Sequence, residues 1–225
     1  MINVLTNNKK YASAMALKPR VAVHQWLSLM ALTVMLVMSL WLTPASAQQH
    51  PAQDIVESSV NEFLTVVREN QERITTDKQF LIDQIETIIV PHLDFETMTK
   101  LSVGKYWRDA SDEQQTGLVS EFKMFLLNTY ISAVEEYKDG DVSFEKFRPE
   151  SREDRAVVRT GFSQPGSSDV PVIYKLRDRG GWRIYDIEVD GLSLVTNYRN
   201  SFANEINKNG IDGLIALLKE RNTGG

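Results

Sequence analysis

Val172–Val189, VIYKLRDRGGWRIYDIEV, decides the fold. Two runs rich in β-branched and aromatic residues, Val172–Asp178 and Trp182–Val189, flank Arg179-Gly180-Gly181. A short glycine-rich turn between two such runs predicts a β-hairpin. Alternation sets Val172, Tyr174 and Leu176 on one face and Ile173, Lys175 and Arg177 on the other. One face is therefore apolar and the other half-wet. Upstream, Val142–Phe147 and Ala156–Phe162 read as two more strands, with Gln164–Ser168 (QPGSS) as a turn or loop before the hairpin. Sequential short strands with tight turns predict an antiparallel meander.

The sequence on either side is helical. Residues 53–70 place Ile55, Val56, Ser59, Val60, Phe63, Leu64 and Val67 near the 3.6 period. Asp77 to Val90 repeats the pattern with Phe80, Leu81, Ile85, Ile88 and Ile89, and Pro91 ends it. Asp94 caps a short helix through about Val103, stopped at Gly104. Ser111 with Gln114 is a capping-box pair opening the longest helix, about 112–137, which carries an aromatic-rich stripe and stops at Asp139-Gly140. After Asp190-Gly191, Leu194, Val195, Tyr198, Phe202 and Ile206 recur at helical spacing up to Gly210, and Ile211–Lys219 forms a last helix. The predicted class is α+β: a curved antiparallel sheet of about four strands packed against several helices.

Composition agrees with a packed domain. The 225 residues are 42% hydrophobic and 24% charged, with 12 Gly and 7 Pro, too apolar for a disordered chain. The absence of cysteine excludes disulfides, thiolate metal sites and thiol catalysis. A net charge of −5 argues against a basic nucleic-acid binder.

The N-terminus reads as an address. Residues 1–47 carry Lys9, Lys10, Lys18 and Arg20 and no acid. Trp26–Leu42 then runs 17 residues without a charge, Pro44 breaks the run, and Ala45-Ser46-Ala47 follows. This pattern predicts a secretory signal peptide cleaved after Ala47, with residues 48–225 as one mature domain. A retained anchor is the competing reading, at the short limit of bilayer-spanning length. Removing those four cations leaves 21 basic groups against 30 acids, a net charge of −9. The predicted compartment is exported, most simply a periplasm.

Catalytic chemistry is sparse. His50 lies just past the expected cleavage point, and His92 sits beside a helix-ending proline, in no ligand spacing. No nucleophile elbow, P-loop or dinucleotide fingerprint occurs. Asp186 and Glu188 share a strand face and form the one suggestive acid pair, for which hydrogen bonding or solvation is the simpler reading. Glu135 and Glu136 read as the wet side of a helix. Arg148, Arg152, Arg155 and Arg159 stand among Glu150, Glu153 and Asp154, and read as solvated loops or as a docking rim for a phosphate or acidic partner.

Trp182–Glu220 resembles the C-terminal signature of the MlaC family, also called toluene-tolerance auxiliary proteins. The residues carrying the resemblance are Tyr185-Asp186, Gly191-x-Ser193, Tyr198-Arg199, Phe202 and Gly210-Ile211-Asp212-Gly213-Leu214, with Gly104, Tyr106-Trp107 and Phe122 upstream. One departure is Asp190, where the family often has Glu. The resemblance covers about residues 54–221. It implies a periplasmic carrier, with no catalytic residues and no cofactor, that shuttles phospholipid between the outer membrane and an inner-membrane ABC transporter. It further implies maintenance of outer-membrane lipid asymmetry, an outer-membrane lipoprotein as a second partner, and an apolar lipid cavity between sheet and helices.

The aromatic stripe and the apolar strand face supply candidate walls for such a cavity. These lipid-binding candidates are Tyr106, Phe122, Phe125, Tyr130, Val172, Tyr174, Leu176, Ile187, Val195, Tyr198 and Phe202. For each alone, core packing is the simpler explanation. Two rival functions remain: a periplasmic small-molecule-binding enzyme or sensor using Asp186 and Glu188, and a chaperone or adaptor with a shallow apolar groove.

Overall fold

A computed structural model describes residues 49–136, 139–164, 166 and 168–224. The expected signal peptide and its cleavage point lie outside the described residues, as do Tyr137 and parts of the QPGSS turn. Residues 49–225 form one compact unit. Among the described residues, no helix is long and apolar enough to cross a membrane.

Helix α1 spans Pro51–Glu69, α2 Gln71–Thr76 and α3 Lys78–Ile88, followed by a 3-10 turn at Val90–His92. The sequence missed α2, a six-residue helix too short to show a period. It also ran α3 on to Val90, whereas Pro91 sits inside the 3-10 turn. Helix α4 covers Phe95–Val103, a 3-10 turn covers Gly104–Arg108, and α5 covers Asp112–Glu136. The capping box is present in both halves: the Gln114 N–H donates to Ser111 Oγ at 3.2 Å, and the Ser111 N–H donates to Gln114 Oε1 at 3.1 Å.

Five strands follow in sequential antiparallel order: β1 Asp141–Phe144, β2 Arg155–Ser163, β3 Val170–Asp178, β4 Trp182–Val189 and β5 Leu192–Ser193. The hairpin stands where the sequence put it. Three details differ. First, β1 stops at Phe144, and Phe147 instead stacks on His50 with ring centroids 4.3 Å apart. Second, a ten-residue loop, 145–154, joins β1 to β2 in place of a tight turn. Third, β5 adds a two-residue edge pairing that no alternation could reveal.

Helix α6, Leu194–Thr223, closes the chain. It is interrupted at Gly210, whose φ of 73° and ψ of −178° are reserved for glycine, and the break falls where the sequence separates two helices.

The core is divided. Ala52 and Val56 of α1 pack on the sheet against Ala156, Val158, Leu176 and Ile184. A second cluster joins α4, α5 and α6 through Met98, Leu118, Phe122, Phe202 and Leu214. A third holds the end of α1 to α2, α3 and α5 through Val67, Ile74, Leu81 and Ile131. The helical layer meets the sheet along the β4 edge. There the Asp94 N–H donates to the Ile184 carbonyl at 2.8 Å, and β5 pairs with the far end of β4. An edge covered at both ends is protected from intermolecular pairing.

Candidate functional site

Register defines the apolar face. Ala156, Leu176 and Ile184 are paired across β2, β3 and β4, and so are Val158, Tyr174 and Ile187, then Thr160, Val172 and Val189. Paired residues share a face, so these three rows form one surface. A β-bulge between Lys175 and Leu176 keeps Ile184 and Ile187 on that surface despite their odd spacing. The row nearest the hairpin turn is sealed, with Ala156, Leu176 and Ile184 only 1%, 0% and 3% exposed. Farther along β3 and β4 the cover ends: Tyr174, Ile187, Val172, Val189 and Val170 are half-buried. On β2, Val158 and Thr160 stay buried. The under-covered apolar surface therefore lies on β3 and β4, away from the turn.

The helical candidates form an aromatic cluster. Phe122 meets Phe202 at 5.2 Å and Tyr198 at 5.6 Å, and Phe125 meets Tyr198 at 5.3 Å, all edge-to-face. Edge-to-face contact is the favoured geometry at these separations. Burial raises the Tyr198 pKa well above its ordinary value, and its hydrogen bond with Tyr130 adds to the rise. The Tyr106 hydroxyl bonds to Asn207 Oδ1 at 2.7 Å.

The eleven candidates thus fall into two groups. Tyr106, Phe122, Phe125, Tyr130, Val195, Tyr198 and Phe202 belong to the helical layer, and Val172, Tyr174, Leu176 and Ile187 to the sheet. Phe122, Leu176, Val195 and Phe202 are fully packed in the core. Tyr106, Phe125, Tyr130, Val172, Tyr174, Ile187 and Tyr198 keep part of their surface accessible. Sequence reasoning omitted Val170 and Val189, which continue the same face, and Phe80, Ile82 and Ile85 of α3, half-buried beside the third cluster. Their periodicity was visible, but an apolar stripe looks alike whether it meets core or cargo.

The polar candidates have structural employment. Asp186, 5% exposed, accepts from Ser193 Oγ at 2.8 Å, from the Val195 N–H at 3.3 Å and from Lys175 Nζ at 3.0 Å. It fastens the start of α6 to β4. Lys175 also reaches Glu188 at 3.1 Å. Burial works against the Lys175 ammonium, but the bonds to Asp186 and Glu188 more than offset it, so its pKa is raised. The two members of the suggestive acid pair therefore share one lysine as their ion-pair partner. His50 caps α1, its Nδ1 accepting from the Ala52 N–H at 3.2 Å. Burial lowers the His92 pKa below 6.5, and the Arg183 charge lowers it further. Arg152 and Arg155 both lie against Asp154, at 2.9 and 3.7 Å. Glu135 and Glu136 lie outside the described side chains.

A cavity of about 410 Å³ opens between the β3–β4 turn and the start of α4, and none of the eleven candidates lines it.

Comparison with known proteins follows the same architecture. The family model described as MlaC protein matches residues 57–220. A toluene tolerance protein, ttg2D, of Pseudomonas putida is 27% identical over 175 residues, 76% of this chain and 79% of that protein. The intermembrane phospholipid transport system binding protein MlaC of Haemophilus influenzae is 21% identical over 204 residues, 89% of this chain and 94% of that protein. The solved structure of a phospholipid-binding protein from Ralstonia solanacearum, in complex with a phospholipid, superposes with a TM-score of 0.72 at 30% identity. It covers 78% of this chain and 98% of its own.

Proposed function

Because this chain belongs to the MlaC family, we propose that it is a phospholipid-binding carrier, not an enzyme, serving an Mla-type transport system in the periplasm. The observation that carries the reading is the sheet face described above: Tyr174, Ile187, Val172 and Val189 are apolar and aligned, and are covered at only one end. A phospholipid alone in water wets two acyl chains. At about 0.8 kcal/mol per CH₂, a chain of roughly fifteen methylenes costs on the order of 12 kcal/mol. A carrier has only to replace the shelter of the bilayer, which needs an apolar cleft and no metal or base. The phospholipid complex of the Ralstonia relative supports this cargo. Delivery then runs between an outer-membrane lipoprotein partner and an inner-membrane ABC transporter.

The test is mass spectrometry of organic extracts from the purified exported protein. Phospholipid in the extract is the expected result, and its absence would overturn the reading. Val172→Asp sets a charge on the half-buried row and is expected to lower the lipid load about fivefold or more while folding persists. Leu176→Asp is a poorer probe, because a charge at a position 0% exposed unfolds the domain.

A further inference from the structure

Three arginines stand in one row across the sheet. Arg155 on β2 pairs with Arg177 on β3, which pairs with Arg183 on β4. Directly paired side chains share a face about 5 Å apart, and like charges placed so repel. The row alternates with Ala156, Leu176 and Ile184, so it lies on the face opposite the apolar rows.

Two of the three charges are answered within the protein. Arg177, 9% exposed, donates to Asp94 Oδ2 at 2.8 Å and touches the Thr97 hydroxyl. Arg155 lies 3.7 Å from Asp154 and over the Tyr185 ring at 5.1 Å. Arg183 makes no ion pair among the described residues, and its Nη1 reaches only the Trp182 carbonyl at 3.1 Å. Arg179, in the turn, likewise makes no ion pair there. Both are exposed, in a protein whose acids outnumber its basic groups.

The two unanswered guanidinium groups line the 410 Å³ cavity, whose α4 side carries Leu93 and Phe95. The Asp94–Arg177 pair is internally neutral, so the cavity's free charges are Arg179 and Arg183 against the single carboxylate of Glu96. We propose that this cavity is an oxyanion site that takes a phosphoryl group between Arg179 and Arg183. Guanidinium forks match such oxygens in geometry as well as charge. A concave site favours a small phosphoryl group over a flat charged surface. The site stands independently of the carrier reading, since it lies on the other face of the sheet.

Isothermal titration of the exported protein at low salt, with inorganic phosphate and with glycerol 3-phosphate, measures free phosphoryl ligands. Co-sedimentation with phosphatidylglycerol vesicles, against phosphatidylcholine vesicles, measures the headgroup source. Binding in either arm is expected, and the double variant Arg179→Gln/Arg183→Gln should weaken it by about tenfold or more. Glu96→Gln should tighten it. Arg108→Gln, an exposed arginine of the Gly104–Arg108 turn outside the cavity lining, should leave it unchanged. No binding in any arm overturns the proposal. So does equal loss in Arg108→Gln, which would mark nonspecific charge, or binding of poly-glutamate where the phosphoryl probes fail, which would mark an acidic protein partner.

Discussion

Tyr174 is half-buried as a residue, its hydroxyl hydrogen-bonds with Thr160, and burial pushes its pKa from 10.0 up to about 12. In the unfolded chain the phenol ionises near 10, so between pH 10 and 12 the folded state holds a proton that the unfolded state has lost. Its contribution to stability is complete below pH 10 and declines as pH climbs through that window. An absorbance titration of tyrosinate in the folded protein should show a late step near pH 12 that Tyr174→Phe removes. Ionisation of Tyr174 near pH 10, with secondary structure intact, would contradict the burial. At this scale the sequence was a partial guide. It placed Lys175 on the half-wet side and set Asp186 and Glu188 on one strand face, but the link from Asp186 to Ser193 and Val195 forms only when α6 docks. Arg177 seemed a wet-face residue because its partner, Asp94, lies 83 positions away, beyond any periodicity.

Elements were legible where their cause is local. The β3–β4 hairpin follows from alternation and Gly180-Gly181, α5 from its capping box, and the break in α6 from Gly210. What was missed depends on distant partners: β5 exists only against β4, and the early end of β1 leaves Phe147 to meet His50. Gly210 also gives the sharpest element-scale prediction. At φ 73° and ψ −178° it occupies a region essentially closed to other residues, at a cost of about 1–3 kcal/mol. Alanine gains helix propensity elsewhere, but here the strain wins. Gly210→Ala should lower the unfolding free energy by that amount, read as a lower denaturant midpoint with the slope of the transition unchanged. An unchanged or raised midpoint would mean that the kink carries no constraint.

Across the described residues, three apolar clusters stand in place of one continuous core, and half-buried apolar side chains border each of them. Among the described residues only Leu192, 66% exposed, is a large apolar side chain left fully open. The protein therefore keeps its large apolar side chains from full exposure while leaving many of them only half-covered, a combination suited to a cargo that completes the cover. The sequence could announce the family through its ordered motifs, but not this partial burial, which depends on how far α1 reaches over β3 and β4. A bound lipid that fills such a surface stabilises the native state alone, by about 2.7 kcal/mol when present at a hundred times its Kd. For a domain of this size each kcal/mol moves Tm by roughly 2–4 °C. Delipidation, verified by mass spectrometry, should thus lower Tm by about 5–10 °C. Added phospholipid should restore it, and Val172→Asp should melt at nearly the same temperature with or without lipid. If the wild-type Tm does not move when the lipid is gone, the open face of β3 and β4 is not where the cargo rests.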